Sequence, residues 1–309
     1  MSAPIFLARE AVERLLTPQA CLDAVEHAFR LLGEGRASRP AVLAMHAEHG
    51  TFHVKAGMLD SYFAAKLNGN FPGNGARGLP TIQGAVILSD ATNGTPLAIM
   101  DSGAITALRT AAASALAAKH LARKGWRTLA IVGCGGQADA HLRALRPHRA
   151  MVCDIDRDKA NAFARDRRLV SADLARCLAE AEVIVTCTSA KRWFVARDMV
   201  RPGTFIAAVG ADNEEKQEIQ PELLAAAKVV TDLTAQAAAG GDLRHAIAAG
   251  LMAAKDVHAE LGEIVCGKRS SRESDDEIIV FDSTGTGLQD VAAAIAAYRR
   301  ASHAPAPNR

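Results

Sequence analysis

The run LAIVGCGGQA, ending at Ala138, holds the first residues whose types and spacing imply chemistry. Gly133, Gly135 and Ala138 reproduce G-x-G-x-x-G/A, the pattern that cradles the pyrophosphate of a dinucleotide. Gly133 permits the tight turn, Gly135 lets a phosphate approach the backbone, and Ala138 allows close helix–strand packing. Gln137 stands in the same turn and is counted with them as cofactor-binding. A helix opening at this loop adds unpaired amides and partial positive charge. Alone, the glycines fit any tight turn. Asp154 strengthens the reading, because it closes the next extended run 21 residues after Gly133, where a carboxylate accepts the adenosine ribose hydroxyls. The pattern fits a nicotinamide or flavin dinucleotide. A carboxylate there repels a 2′-phosphate, so NAD is favoured over NADP, although Arg157 is near enough in sequence to offset this.

Such a loop needs a parallel sheet to hold it. Extended runs at Thr128 to Val132, Ala150 to Asp154, Glu182 to Cys187, Thr204 to Val209, Lys228 to Asp232 and Glu277 to Phe281 alternate with helical or turn-rich segments. They predict an α/β fold with a six-stranded, Rossmann-type, doubly wound parallel sheet over residues 117–287. Before it, TPQACLDAVEHAFRLLGEG reads as a helix capped by Thr17, with Leu22, Val25, Phe29 and Leu32 on its core face. From Ala41 to Asp101 the pattern becomes extended, and Asn93-Gly94 between GAVILSD and TPLAIMD signals a hairpin in an antiparallel sheet. A long alanine-rich helix follows. The terminal helix GLQDVAAAIAAYRRA returns to the first domain, giving a discontinuous α+β substrate and dimerisation domain, residues 1–116 with 288–309. The tail SHAPAPNR is expected to fray, and the charged GKRSSRESDDE to be a mobile surface loop.

Composition narrows the partners. The chain has 309 residues, enough for two cores, and a net charge of +2, too small to imply a nucleic-acid or membrane surface. Six scattered cysteines form no CxxC pair, which suits a reducing cytoplasm, and no export signal or membrane span is expected. His46, His49 and His53 lie close together without HExxH spacing, so no metal site is expected. No serine stands in a GxSxG elbow. Cys134, inside the glycine loop, is read as a small buried spacer. Lys55, in the alternating strand TFHVKAGML, either faces the site or lies in solvent, and solvent is the expectation.

In the blocks AAKLNGNFPGN, LPTIQGAVILSDATNGTPLAIMDSGAITALRTAAASALAAKHLA, IVGCGGQA, VGADNEEKQEI and FDSTGTGLQD, the sequence resembles the ornithine cyclodeaminase/mu-crystallin family nearly end to end. The resemblance implies an NAD(P)-dependent enzyme, usually a homodimer, acting at the α-carbon of an amino acid or the C=N carbon of an imino acid. It places a substrate-carboxylate clamp on Arg39, Lys66 and Arg109. Guanidinium chemistry agrees, since its fork matches a carboxylate, and Arg109 is a charge in an otherwise apolar helix that needs a partner. Asp212, after the fourth parallel strand, matches the family's proton-transfer acid, with helix capping as the plainer reading. Ser283, Thr284 and Gly285 follow the last strand and either line the cofactor or form a glycine-rich turn.

The function this implies is an NAD(P)H-dependent reductase of a small cyclic ketimine acid such as Δ1-pyrroline-2-carboxylate, with Lys66 or Asp212 as the proton donor. Ornithine cyclodeaminase, an amino-acid dehydrogenase such as alanine dehydrogenase, and a crystallin-like ligand binder are the alternatives. The family's cyclodeaminases carry GGDxPGK where this chain has GADNEEK, which keeps Asp212 but lacks the glycine pair and the Pro-Gly.

Overall fold

The computed structural model describes residues 3–303, so 304–309 of the expected frayed tail lie outside the described range. Two compact units emerge, Met1–Ala113 with Thr286–Arg309, and Ser114–Gly285. One border falls inside the alanine-rich helix Ser102–Leu121 and the other just ahead of the C-terminal helix Gly287–Ser302.

The first unit is built on a six-stranded sheet: β1 (Ile5–Leu7), β2 (Ala41–Ala47), β3 (Gly50–Leu59), β4 (Tyr62–Asn70), β5 (Ile82–Asp90) and β6 (Pro96–Asp101). Its order is β1-β6-β5-β4-β3-β2, antiparallel except that β1 joins β6 in parallel. Three residues are too few for β1 to show an alternation in sequence. Asp90 and Asn93 close the β5–β6 hairpin by accepting the amides of Thr92 and Thr95.

The helix Pro18–Gly33 begins at Thr17, whose hydroxyl accepts the Ala20 amide at 3.3 Å. Its buried stripe is Cys21, Val25, Ala28 and Phe29. The expected core residues Leu22 and Leu32 are only half-buried, because a 3.6-residue period turns the stripe centred on Val25 and Phe29 toward Cys21 and Ala28.

The C-terminal helix lies against the inner face of β3 and β4. Its entry requires a glycine: a Cβ on Gly287 would stand 2.6 Å from the Ala56 carbonyl oxygen. The outer face of the same sheet exposes Leu43, Met45, Phe52, Met58, Phe63, Leu67 and Ile87.

In the second unit the strands are β7 (Thr128–Val132), β8 (Arg149–Cys153), β9 (Val170–Ser171), β10 (Val183–Thr186), β11 (Lys191–Val195), β12 (Phe205–Ala208), β13 (Gln217–Ile219), β14 (Lys228–Thr231), β15 (Ala259–Glu260) and β16 (Ile279–Asp282). Eight form one parallel sheet in the order β15-β14-β16-β12-β10-β7-β8-β9, while β11 and β13 pair separately. The six longer strands are the six foreseen, each a fully apolar or nearly apolar run of the kind that doubly covered parallel strands require. The two-residue β9 and β15 extend its edges.

The segment 267–277 lies on the surface and is anchored at several points. Arg272 donates to the carbonyls of Leu121 (2.8 Å) and Glu277 (2.6 Å), and Lys228 pairs with Glu273 at 2.7 Å. The segment is largely exposed, as its polar composition implies, while Arg272, Glu273 and Glu277 find partners in the fold.

Candidate active site

Alternation along β4 turns Ala64 and Lys66 to the inner face, where both are buried. Helical spacing puts Thr106 and Arg109 on one face of the helix Ser102–Leu121. Asp290 stands in the first turn of the C-terminal helix, capped by the Thr286 hydroxyl, where a carboxylate also gains from the helix dipole. These elements bring the three charges together. Lys66 Nζ donates to Asp290 Oδ1 at 2.8 Å and to Thr106 Oγ1 at 3.1 Å. Arg109 donates through Nε to the same Asp290 oxygen at 2.9 Å and through Nη1 to Gln289 Oε1 at 2.8 Å.

Only 3% of Lys66, 4% of Arg109 and 1% of Asp290 is exposed, so their electrostatics are strong. Burial pushes the Lys66 ammonium down to about 7, Asp290 resists that fall, and Arg109 and Lys55 add to it. Burial also pulls Asp290 toward the neutral acid, but the Lys66 and Arg109 charges prevail and hold it below the usual carboxylate range. The result is an amine that exchanges its proton near neutral pH beside the Arg109 guanidinium. Among the described residues, the bonds above leave one Lys66 hydrogen and the Arg109 Nη2 group unengaged. Those donors suit a carboxylate or an imine nitrogen.

In the second unit, Gly133 turns with φ +101°, and a Cβ there would come 2.9 Å from the Cys187 carbonyl oxygen. Gly135 caps the helix Gly136–Leu145 with no side chain on its amides, and a side chain at Gly135 or Gly136 would enter open space. That space and those amides are what a pyrophosphate needs, so the residues fit a dinucleotide. Ala138 is fully buried. Gln137 has a buried Oε1 without a partner. Asp154 Oδ2 accepts the Cys134 amide at 2.8 Å and Lys159 Nζ at 3.0 Å, which fixes the glycine loop to the end of β8. Beside it, Ile155 is wholly exposed, an apolar side chain that sequence reasoning passed over. Ser283, Thr284 and Gly285 all donate to the buried Asp232, so this turn is rigid as well as adjacent to β16. The Cys134 thiol is pushed up to about 11 by burial and the Asp154 charge, an inert spacer.

The two remaining candidates, Arg39 and Asp212, are exposed. Arg39 is on the segment before β2. Asp212 lies past the carboxyl end of β12, exposed and paired with Lys216 Nζ at 2.7 Å. Asp290, Gln289 and Thr106 were not foreseen. Asp290 had a signal: a lone carboxylate leading an alanine-rich helix raises the same question of a partner as Arg109 does.

The ornithine cyclodeaminase/mu-crystallin family model matches residues 2–304. The alanine dehydrogenase of Archaeoglobus fulgidus is 38% identical, over 96% of this chain and 95% of its own. An archaeal alanine dehydrogenase dimer with bound NAD superposes with a TM-score of 0.92 at 37% identity, covering 97% of this chain and 96% of that one. The Δ1-pyrroline-2-carboxylate reductase of Thermococcus litoralis, in complex with NADH and L-proline, gives the same TM-score at 29% identity, covering 96% and 97%. With fold, glycine loop and buried cation pair all in place, the chain belongs to the ornithine cyclodeaminase/mu-crystallin family.

Proposed function

We propose that this protein is an NAD(H)-dependent oxidoreductase that reduces the C=N bond of a small cyclic ketimine acid such as Δ1-pyrroline-2-carboxylate, giving the cyclic amino acid. The observation that carries this is the Lys66–Asp290–Arg109 cluster, a buried cation pair sharing one carboxylate oxygen with donors to spare. Relatives that reduce Δ1-pyrroline-2-carboxylate or oxidise alanine support the reaction class, and NAD in two neighbouring structures supports the cofactor.

The chemistry supplied by bound NADH is a hydride for the imine carbon. Arg109 Nη2 holds the substrate carboxylate, a role for which a planar fork is suited. Lys66 donates the proton that the imine nitrogen needs, since its ammonium is poised near 7 and keeps a hydrogen outside its internal bonds. Asp290 holds both cations in place. The glycine loop would bind the pyrophosphate, Asp154 the ribose and Ile155 the adenine face, with Gln137 and the Ser283–Gly285 turn beside them. Asp212, ion-paired with Lys216, is the second proton carrier to test, and Arg39 an outer cation that would meet the substrate only on binding.

We further propose a homodimer through the outer face of the β2–β5 sheet, whose exposed Leu43, Phe63, Leu67 and Ile87 form an apolar surface suited to a second copy. Among the described residues no helix is long and apolar enough to cross a membrane.

The assay is NADH oxidation with Δ1-pyrroline-2-carboxylate, alongside ammonia release from ornithine. Stoichiometric NADH consumption with negligible ammonia is expected. Proline and ammonia formed together from ornithine, without net cofactor turnover, would assign the protein to the cyclodeaminases instead.

A further inference from the structure

Strand order locates the crevice of the second unit. From β7 the chain runs outward through β8 and β9, then returns to β10 and β12 on the other side, so the order reverses between β7 and β10. Ligands of open parallel sheets bind beyond the carboxyl ends of the strands at such a reversal. The crevice here has two walls, the glycine loop after β7 and the segment 187–190 after β10. They touch: a Cβ on Gly133 would come 2.9 Å from the Cys187 carbonyl oxygen and 3.0 Å from Thr188 Cγ2, and the Cys187 thiol donates to the Gly133 carbonyl at 3.1 Å. What holds the second wall is Glu218, which is fully buried. Its Oε1 accepts the Thr188 amide and the Thr188 hydroxyl, both at 2.7 Å, and its Oε2 accepts the Thr186 hydroxyl at 2.6 Å and the Gly210 amide at 2.9 Å. One carboxylate thus joins the segments that follow β10 and β12. The Thr188 hydroxyl also accepts the Ala190 amide at 3.2 Å, which sets the turn of the wall itself. There is no slack, since a Cβ on Gly210 would collide with the Glu218 carboxylate and the Thr188 carbonyl oxygen. Asp242 Oδ1 anchors Glu218 from behind, accepting the amides of Glu218 and Ile219 at 2.8 and 2.9 Å. Burial pushes the Glu218 carboxyl up, and the hydrogen bonds from Thr186, Thr188 and Gly210 act against that rise. Each Glu218 oxygen faces one backbone N–H, so a carboxamide in either orientation would set its NH2 group against a donor.

We propose that Glu218 is a positioning residue of the dinucleotide site, holding Thr188 against the glycine loop so that NADH affinity depends on a side chain the cofactor does not touch. This rests on the dinucleotide reading of that loop. Burying a carboxylate among neutral donors is unfavourable unless every lone pair is satisfied, and here two hydroxyls and two amides satisfy them. What the arrangement secures is the width of the crevice: with the Glu218 bonds lost, Thr188 and Gly210 have buried amides without acceptors and their segments must shift to find others. The shift opens the wall beside Gly133, where the pyrophosphate docks.

The test uses the full chain with Glu218→Gln, Glu218→Asp, Thr188→Val and the double variant Glu218→Gln/Thr188→Val. Fluorescence titration should give a Kd for NADH at least tenfold weaker in Glu218→Gln than in the parent, with the loss in turnover carried by KM for NADH rather than by kcat. Glu218→Asp, which keeps the anion on a shorter stem, should recover part of the affinity. Thr188→Val removes the hydroxyl through which Glu218 acts, so the loss caused by Glu218→Gln should shrink at least threefold in that background. Without added NADH, the amides of Thr188 and Gly210 should exchange hydrogen faster in Glu218→Gln, while those of β7 keep the parent's protection. A fall in melting temperature with an unmoved Kd in both Glu218 variants is the result for a carboxylate that only stabilises the fold, and it overturns the proposal. Equal losses from Glu218→Gln with and without Thr188→Val also overturn it. A parent that binds no NADH would remove the dinucleotide reading and the proposal with it, whereas tight binding by the parent and by Glu218→Gln alike strikes the proposal alone.

Discussion

Lys66 and Arg109 donate to one and the same oxygen, Oδ1 of Asp290, at 2.8 and 2.9 Å. Two cations thus share a single acceptor in a site closed to water, and each keeps a donor for something else. The arrangement ties the proton chemistry of Lys66 to the charge of Asp290.

Removing that charge should move a pH profile. Asp290 raises the proton affinity of Lys66 against burial, Arg109 and Lys55. Asp290→Asn should therefore shift the alkaline limb of kcat/KM for imine reduction, expected near pH 7 in the parent, to lower pH. An unmoved limb would detach the titration from Lys66.

Lys66 also leaves a mark on stability. Its folded-state value of about 7 lies below the ordinary 10.5, so between those values the unfolded chain binds more protons and stability rises with pH. The burial cost is complete below 7 and gone above 10.5. Thermal melts of Lys66→Met should show a shallower rise across pH 7 to 10 than the parent; equal slopes would contradict the assignment.

Arg109→Lys keeps the charge but loses the fork that reaches Asp290 and Gln289 while presenting Nη2. A charge-assisted hydrogen bond contributes about 1.5–3 kcal/mol, so kcat/KM for the imino acid should fall roughly 10- to 150-fold. Titration with NADH should give a Kd within about threefold of the parent, and an unaltered kcat/KM would remove Arg109 from the site.

Cofactor choice should follow Asp154 and Ile155. In Asp154→Ser the preference for NADH over NADPH should narrow, because the carboxylate that repels a 2′-phosphate is gone. Ile155→Asp should weaken both dinucleotides, since it replaces the wholly exposed apolar surface beside the proposed ribose site with a charge. Fluorescence titration measures both, and equal affinities for NADH and NADPH in the parent would refute the ribose reading.

Leu67→Glu should dissociate the protein. Leu67 is 47% exposed on the outer sheet face, in line with Val54 and Leu43 on the adjoining strands. Light scattering should report a dimer for the parent and a monomer for the variant. A monomeric parent at micromolar concentration would overturn the assembly.

The sequence by itself determined most of the parallel sheet of the second unit, because its signals are local. A strand, a turn and a helix start are encoded within ten residues around Gly133, and Asp154 follows at the distance one helix and one strand impose. Apolar runs four to five residues long likewise announced the six longer strands. Arg109 was legible for a related reason, as a charge in an alanine-rich helix that must have a partner. The identity of that partner was not. Asp290 is 224 residues from Lys66 and 181 from Arg109, and only the folding of the last helix onto β3 and β4 puts its carboxylate between them. Register decided the rest: Lys55 read as a solvent-facing lysine until the β3–β4 pairing set it opposite Lys66. Periodicity gives the face of one strand, but which strand lies beside it, and in what register, is fixed by hydrogen bonds and packing between segments that a local pattern cannot relate.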